Sequence, residues 1–315
     1  MRHPKKKIHI SADTSALRSG LVQIFQNFNR TNQLPFSVEM IESPDNAEDI
    51  HLLFFEADPQ RMDDSKRKLK RFLVEFRSNV VLMCSAEYDN LELARHFGIG
   101  NILLPESMNE PVIRAITLKL LGKEFFGFEP FFPAGYPLFE KEYFFSGEFQ
   151  LRDFQKKYFG DFAAELDPDE RNYFFMYASE LMTNALSYGV YGVTPEQRDQ
   201  NQTGFPNDLV IPERKEIRVK IVRDEEKYAV SITDKTGALT LERVLEKIRR
   251  QTVAPGENVP KGLYDLSGRG LFILSKQTRL VINILRRVKT EVIMLRYNDP
   301  SLNKYQPLII NEKEK

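Results

Sequence analysis

Over residues 1–125 short apolar runs alternate with longer amphipathic segments. KKIHIS, FSVEMI, DIHLLFFE, NVVLMCS and NILLP have the length and composition of strands. TSALRSGLVQIFQNF, the charged stretch around 60–77, NLELARHFG and EPVIRAITLKLLG have the periodicity of helices with one apolar face. This alternation predicts a parallel sheet covered by helices. From residue 151 the pattern changes: LRDFQKKYFGDFAAEL and DERNYFFMYASELMTNALSYG read as two helices separated by Asp167-Pro168, an aspartate that can cap and a proline that can start a helix. EIRVKIVRDEEKYAVSITD reads as two alternating strands joined by a tight turn. LTLERVLEKIRRQ and LFILSKQT read as helices, and RLVINILRR and TEVIMLRY as closing strands. The expected fold class is α/β followed by α+β, the second part with helices on one face of a mixed sheet.

At 315 residues the chain exceeds one core of roughly 100–200 residues, so two domains are expected. Residues 122–150 are crowded with Phe, Tyr, Pro and Gly. Such a segment does not remain solvated: it packs between domains or at a dimer seam, or else forms an edge strand and turns of the second domain. The expected division is 1–123, a linker at 124–146, and 147–315.

Lys plus Arg and Asp plus Glu balance at 45 each, which excludes a general field attracting nucleic acid or an anionic membrane. Lys5-Lys6-Lys7 is read as the solvated flank of a first strand. The one cysteine, Cys84, follows Val80-Val81-Leu82-Met83 and reads as a buried strand thiol, not a disulfide, metal ligand or nucleophile. The amino-terminal stretch has charge but no apolar core, and no apolar run approaches the roughly 20 residues that span a bilayer. A soluble, cytoplasmic protein is expected.

Three local signals carry candidate chemistry. Glu180 and Asn184, four apart, project from one helix face, although such a pair is usually solvated. Asp234 ends an alternating strand before Gly237 and can accept from a ligand's amino group, or can be an ordinary Asx-turn residue. Gly268 and Gly270 open a helix, where phosphates can approach free N–H groups, but Gly-x-Gly before a helix is common. Together, in this order and followed by the strand starting Thr290-Glu291-Val292, the signals reinforce one another.

In that order and context the sequence resembles the GHKL ATPase superfamily (gyrase, heat-shock chaperone, histidine kinase, mismatch-repair protein) over roughly residues 150–297. The resemblance implies ATP and Mg²⁺ as cofactors, Asn184 as the metal ligand and Glu180 as the general base. It further implies Asp234 on the adenine amino group, Thr290 beside it, and Gly237, Gly268, Arg269, Gly270 and Leu271 in the nucleotide-binding set, with a lid at 248–267. All four histidines, His3, His9, His51 and His96, precede this region, so the phosphoacceptor helix of a histidine kinase is missing. Only about 18 residues follow Tyr297, too few for the transducer domains of the larger members. The arrangement resembles the anti-sigma factor serine/threonine kinases, which implies a STAS-type antagonist as substrate, a sigma factor as further partner, and a homodimer. The sequence departs from the pattern where Thr236 and Ala238 replace the glycines after Asp234 and Lys289 replaces the glycine before Thr290. These departures sustain an alternative in which the chain is a catalytically degenerate signalling module. A metabolic enzyme on a doubly wound fold is disfavoured, because no Gly-rich loop follows the first strand.

The first half resembles, in element order and spacing, the response-regulator receiver domain, which implies a flavodoxin-like doubly wound sheet. A receiver needs an acidic pair, a phosphorylatable Asp, a hydroxyl and a Lys at successive strand ends. This chain has Ser11-Ala12-Asp13, Glu56, Ser85 and Leu104 there. A pseudo-receiver is therefore expected, one that binds a partner or dimerises, with Glu56 as an ordinary carboxylate or a permanent charge.

Overall fold

A computed structural model describes residues 5–42, 50–76, 79–122, 125–132, 137–149, 151–193, 209–265 and 269–314. The chain forms two compact units, Met1–Ala134 with Tyr305–Asn311 and Gly135–Lys304 with Glu312–Lys315. Both mix helices with a sheet.

The first unit contains β1 (Lys5–Ser11), α1 (Ser15–Thr31), β2 (Ser37–Ile41), β3 (Leu52–Glu56), α2 (Met62–Phe76), β4 (Asn79–Met83), α3 (Glu87–Phe97), β5 (Asn101–Leu103) and α4 (Glu110–Leu121). Its parallel strands run in the order β2-β1-β3-β4-β5. Among the described residues no helix lies between β2 and β3. The last strand, Leu308–Lys313, pairs antiparallel with β5, Leu308 opposite Ile102 and Ile309 opposite Asn101.

Successive residues of a strand point to opposite faces, and the adjacent Phe54 and Phe55 show how this sheet is covered. Phe25 of α1 meets Phe54 at 5.6 Å, whereas Phe72 of α2 meets Phe55 at 6.3 Å, so the two helices cover opposite faces. α1 buries Leu17, Leu21, Phe25 and Phe28, a stripe at helical spacing. Asn27 Nδ2 donates to Glu110 of α4 at 2.9 Å, which joins α4 to α1. Cys84, just beyond β4, is buried, and burial pushes its thiol up to about 11, so it stays un-ionised near neutral pH.

The second unit contains β6 (Phe139–Phe145), β7 (Gly147–Phe149), α5 (Leu151–Ala164), α6 (Pro168–Asn184), β8 (Leu209–Ile211), β9 (Ile217–Arg223), β10 (Lys227–Asp234), α7 (Leu241–Arg250), α8 (Arg269–Gln277), β11 (Arg279–Leu285) and β12 (Lys289–Tyr297). Its strands run β11-β12-β10-β9-β6, and each of these pairs is antiparallel. The sequence pattern predicts a mixed sheet instead. The short turns at 224–226 and 286–288 make hairpins of β9 with β10 and of β11 with β12, and a tight turn permits only antiparallel pairing. β6, from the aromatic-rich segment, forms an outer strand beside β9. Phe162 of α5 and Phe174 of α6 pack on Tyr228 of β10 at 5.7 and 5.8 Å, which puts both helices on the face that also carries Ile232 and Asp234.

α6 starts as the sequence indicates. Asp167 accepts from the N–H groups of Asp169 and Glu170, and Pro168 occupies the first turn. One turn in, the buried Glu170 meets Arg296 of β12 in a two-bond fork, both bonds 2.7 Å. Arg296 also donates to the carbonyl of Gln277 at the end of α8 at 2.8 Å and lies 4.8 Å from the Tyr173 ring. Tyr228 adds a hydroxyl donor to Glu170 at 3.3 Å, and the Tyr177 hydroxyl donates to the Gln277 side chain. One guanidinium thus ties the start of α6, the end of α8 and β12 together.

Among the described residues no helix is long and apolar enough to cross a membrane. Arg296→Met leaves a buried carboxylate without its partner and is expected to destabilise the protein by about 3–5 kcal/mol. Glu170→Leu combined with Arg296→Met is expected to recover most of that loss. Urea unfolding midpoints check this; equal losses in the single and double variants would contradict it.

Candidate functional site

α6 brings two polar side chains to its carboxyl end. Asn184 donates through Nδ2 to Glu180 Oε1 at 3.0 Å, the contact that four-residue helical spacing permits. The helix then widens into a π-helical turn, Ala185–Val190, a distortion common beside functional sites. This turn carries Tyr188 and Gly189 against the end of β10. A Cβ on Gly189 would lie 2.8 Å from Asp234 Cγ, so only glycine lets the turn rest on that carboxylate.

Asp234, 7% exposed, ends β10 opposite Thr290 of β12. Thr236 donates to Asp234 Oδ1 through its N–H at 2.9 Å and its hydroxyl at 2.5 Å, closing an Asx-turn. Burial raises the Asp234 carboxyl above the usual carboxylate range, opposed first by the Thr236 hydroxyl. Thr290 Oγ1 is buried and close enough to steady that charge, yet its geometry makes no hydrogen bond.

α8 approaches from the other side. A Cβ on Gly270 would overlap Glu180 Cδ, so the bare backbone admits the Glu180 carboxylate against the first turn of α8. Leu271, buried, faces the same cavity. Six of the nine residues singled out in the sequence are therefore neighbours: Glu180, Asn184, Asp234, Gly270, Leu271 and Thr290. Arg269 instead donates to the carbonyl of Leu263 in the preceding segment. Gly237, at φ +59°, accepts from Arg287 N–H at 3.1 Å, and a Cβ there would overlap the Leu285 carbonyl, so it seats the turn against the β11–β12 hairpin. Gly268 lies outside the described residues.

The cavity between α6, the π turn and the sheet has apolar walls of Leu181, Ile232, Leu239, Leu271 and Val292, with Asp234 and Thr290 at one side and Asn184 and Tyr188 at the other. A carboxylate acceptor and an unpaired hydroxyl set in an apolar slot fit an aromatic base with an exocyclic amino group. The cavity holds about 20 Å³, room for about one water, so such a base enters only when the walls part. For a metal, Asn184 is the ligand present. No cluster of three or more His, Cys, Asp or Glu side chains occurs among the described residues.

Sequence reasoning missed Tyr188, Gly189, Leu239 and Lys247. Lys247 of α7 donates to the Tyr188 hydroxyl at 3.2 Å and lies 5.4 Å from its ring. Tyr188 stands four residues beyond Asn184, a spacing that could have flagged it. The expected lid at 248–267 is tied back over its described part. Arg250 forks onto Asp265 at 2.8 and 2.9 Å, and Gln251 donates to the Gly262 carbonyl at 2.7 Å.

In the first unit, Glu56 at the end of β3 accepts from Thr14 on both oxygens, from the N–H at 2.9 Å and the hydroxyl at 2.5 Å. Asp13 pairs with Arg61 at 3.2 Å and Lys68 at 3.6 Å. Both carboxylates are thus engaged by groups from other segments of the unit.

Compared with protein-family models and with curated proteins, the chain is matched by no family model and by no curated protein.

Gly189→Ala, which sets a methyl against the short Asp234 side chain, is expected to destabilise the protein by about 1–3 kcal/mol. Gly160→Ala in α5, where nothing lies within 4 Å, should instead stabilise by about 0.5–1 kcal/mol. Thermal unfolding of both variants separates the two effects. Acetyl phosphate with Mg²⁺ should leave the full chain unphosphorylated, as read by intact mass.

Proposed function

We propose that the second unit is an ATP-binding domain of the GHKL kind and that the chain is an ATP-dependent serine/threonine kinase of the anti-sigma factor type, acting on a STAS-type antagonist. The observation that carries this reading is the convergence of Asn184, Asp234, Leu271 and Thr290, from four separate segments, on one cavity beside Glu180 and Gly270. In the same reading the first unit is a flavodoxin-like pseudo-receiver, which the strand order β2-β1-β3-β4-β5 supports.

When bound, Mg²⁺–ATP supplies a transferable phosphoryl group and the charge that eases its transfer. The chain's residues do the rest. Asp234 accepts from the base's amino group, and the apolar walls exclude water from it. With its Nδ2 donating to Glu180, Asn184 offers Oδ1 as the metal ligand. Glu180, with Oε1 engaged by Asn184, takes the proton of an incoming Ser or Thr hydroxyl at Oε2. The first turn of α8 offers backbone N–H groups to anionic oxygens.

A second reading, a signalling module without turnover, is favoured by the narrow cavity and by the Thr236 hydroxyl held on Asp234 where the family pattern has glycine.

Calorimetric titration with Mg²⁺–ATP is expected to give saturable binding that weakens at least about tenfold, about 1.4 kcal/mol, in Asp234→Asn and loses its Mg²⁺ dependence in Asn184→Ala. Because the Asp234 carboxyl is raised, it loses its charge at a higher pH than an ordinary aspartate, and affinity should fall correspondingly early on acidification. Absence of ATP binding would sink both the kinase and the nucleotide pocket. Binding without phosphate transfer to STAS proteins points to the second reading.

A further inference from the structure

A second cavity lies in the first unit, over the carboxyl end of β1 and beside the end of β2, and has a volume of about 350 Å³. That is within the roughly 300–1,000 Å³ of small-molecule pockets, and the carboxyl ends of parallel strands are where such sheets take ligands. The face of β1 that carries His9 is covered by α2. His9, 5% exposed, lies 5.5 Å from Phe72 of α2 with the two rings tilted, and its Nδ1 is 2.7 Å from the Ile41 carbonyl. Of the receiver-like strand-end residues, Ser11, Ala12 and Asp13 line it, whereas Glu56 and Ser85 do not.

We propose that this crevice binds a small organic molecule bearing one anionic group, phosphate or carboxylate, with a neutral body against His9 and Phe72. Three cations line it: Arg18 from α1, and Lys68 and Arg71 from α2. The Arg18 guanidinium makes no hydrogen bond or ion pair with any described residue, so it can meet an anionic oxygen without giving up a partner. Lys68 reaches Asp13 only at 3.6 Å, with both side chains well exposed. Exposed pairs of this kind contribute little and exchange readily for a ligand oxygen. Asp13, Glu42 just beyond β2 and Glu75 add negative charge to the wall, which repels a second anionic group and selects a neutral or donor-bearing body there. An aromatic ring is the natural body, since Phe72 and the His9 imidazole offer flat faces.

Titrating the full chain with phenyl phosphate and, separately, benzoate, while following the His9 ring proton by NMR, tests this. His9→Gln assigns the resonance. Saturable shifts with at least one probe are expected, and the tighter of the two identifies the anionic group. Arg18→Gln, a change at an exposed side chain, should weaken binding at least tenfold, as should Lys68→Gln to a lesser degree, while Arg30→Gln at the far end of α1 should not. Shifts that do not saturate, or equal binding by wild type and Arg18→Gln, would overturn the proposal. None of these outcomes depends on ATP.

Discussion

The buried fork between Arg296 and Glu170 is the constraint on which the second unit's geometry rests. Glu170 stands near the start of α6, and Gln277, whose carbonyl takes a third Arg296 donor, ends α8. Glu180 and Gly270 of the candidate site sit towards the opposite ends of the same two helices. At 1.5 Å per residue, Glu180 is about 15 Å along α6 from Glu170, and Gly270 about 10 Å along α8 from Gln277. Two rods pinned at one end to a single guanidinium have little freedom at the other, which is how Glu180 can rest on Gly270 without a bond between their backbones. The fork gains little from Coulomb attraction alone, since desolvation of both ions opposes it. Its contribution is to select one arrangement of α6, α8 and β12.

The site end of that arrangement depends on missing atoms as much as on present ones. The π turn settles on Asp234 because residue 189 has no side chain, and α8 accepts the Glu180 carboxylate because residue 270 has none. Close backbone approach of this kind creates a slot whose walls are mostly apolar and whose single carboxylate is largely withdrawn from water. The slot's narrowness and the raised carboxyl share a cause, the exclusion of solvent from the end of β10.

Much of this was legible in the sequence because it is local. Apolar periodicity marks the helices and strands, and Asp167-Pro168 marks the start of α6. The order of Glu180, Asn184, Asp234, Gly270 and Thr290 marks segments that do meet. What was not legible depends on partners remote in the chain. Gly237 after Asp234 reads as a ligand contact, yet its backbone is required by the hairpin at 285–288, some 50 residues later. The antiparallel character of the sheet is set by which strands become neighbours, a matter on which alternation within one strand is silent. The π turn is equally invisible, because SYGV carries no pattern that distinguishes a wide turn from the end of an ordinary helix.

The last strand has a kinetic consequence. β5 supplies only three residues to its sheet, and its antiparallel neighbour, Leu308 and Ile309, arrives about 200 residues later in the chain. During synthesis the amino-terminal unit therefore leaves the ribosome with β5 paired to β4 but lacking that neighbour, and the backbone N–H and C=O groups on its outer edge stay open while residues 135–304 of the other unit are made. Such an open margin invites pairing with other nascent chains. Completion requires a contact of high sequence separation, which slows folding. The unit translated first is thus completed only once nearly all 315 residues have been made.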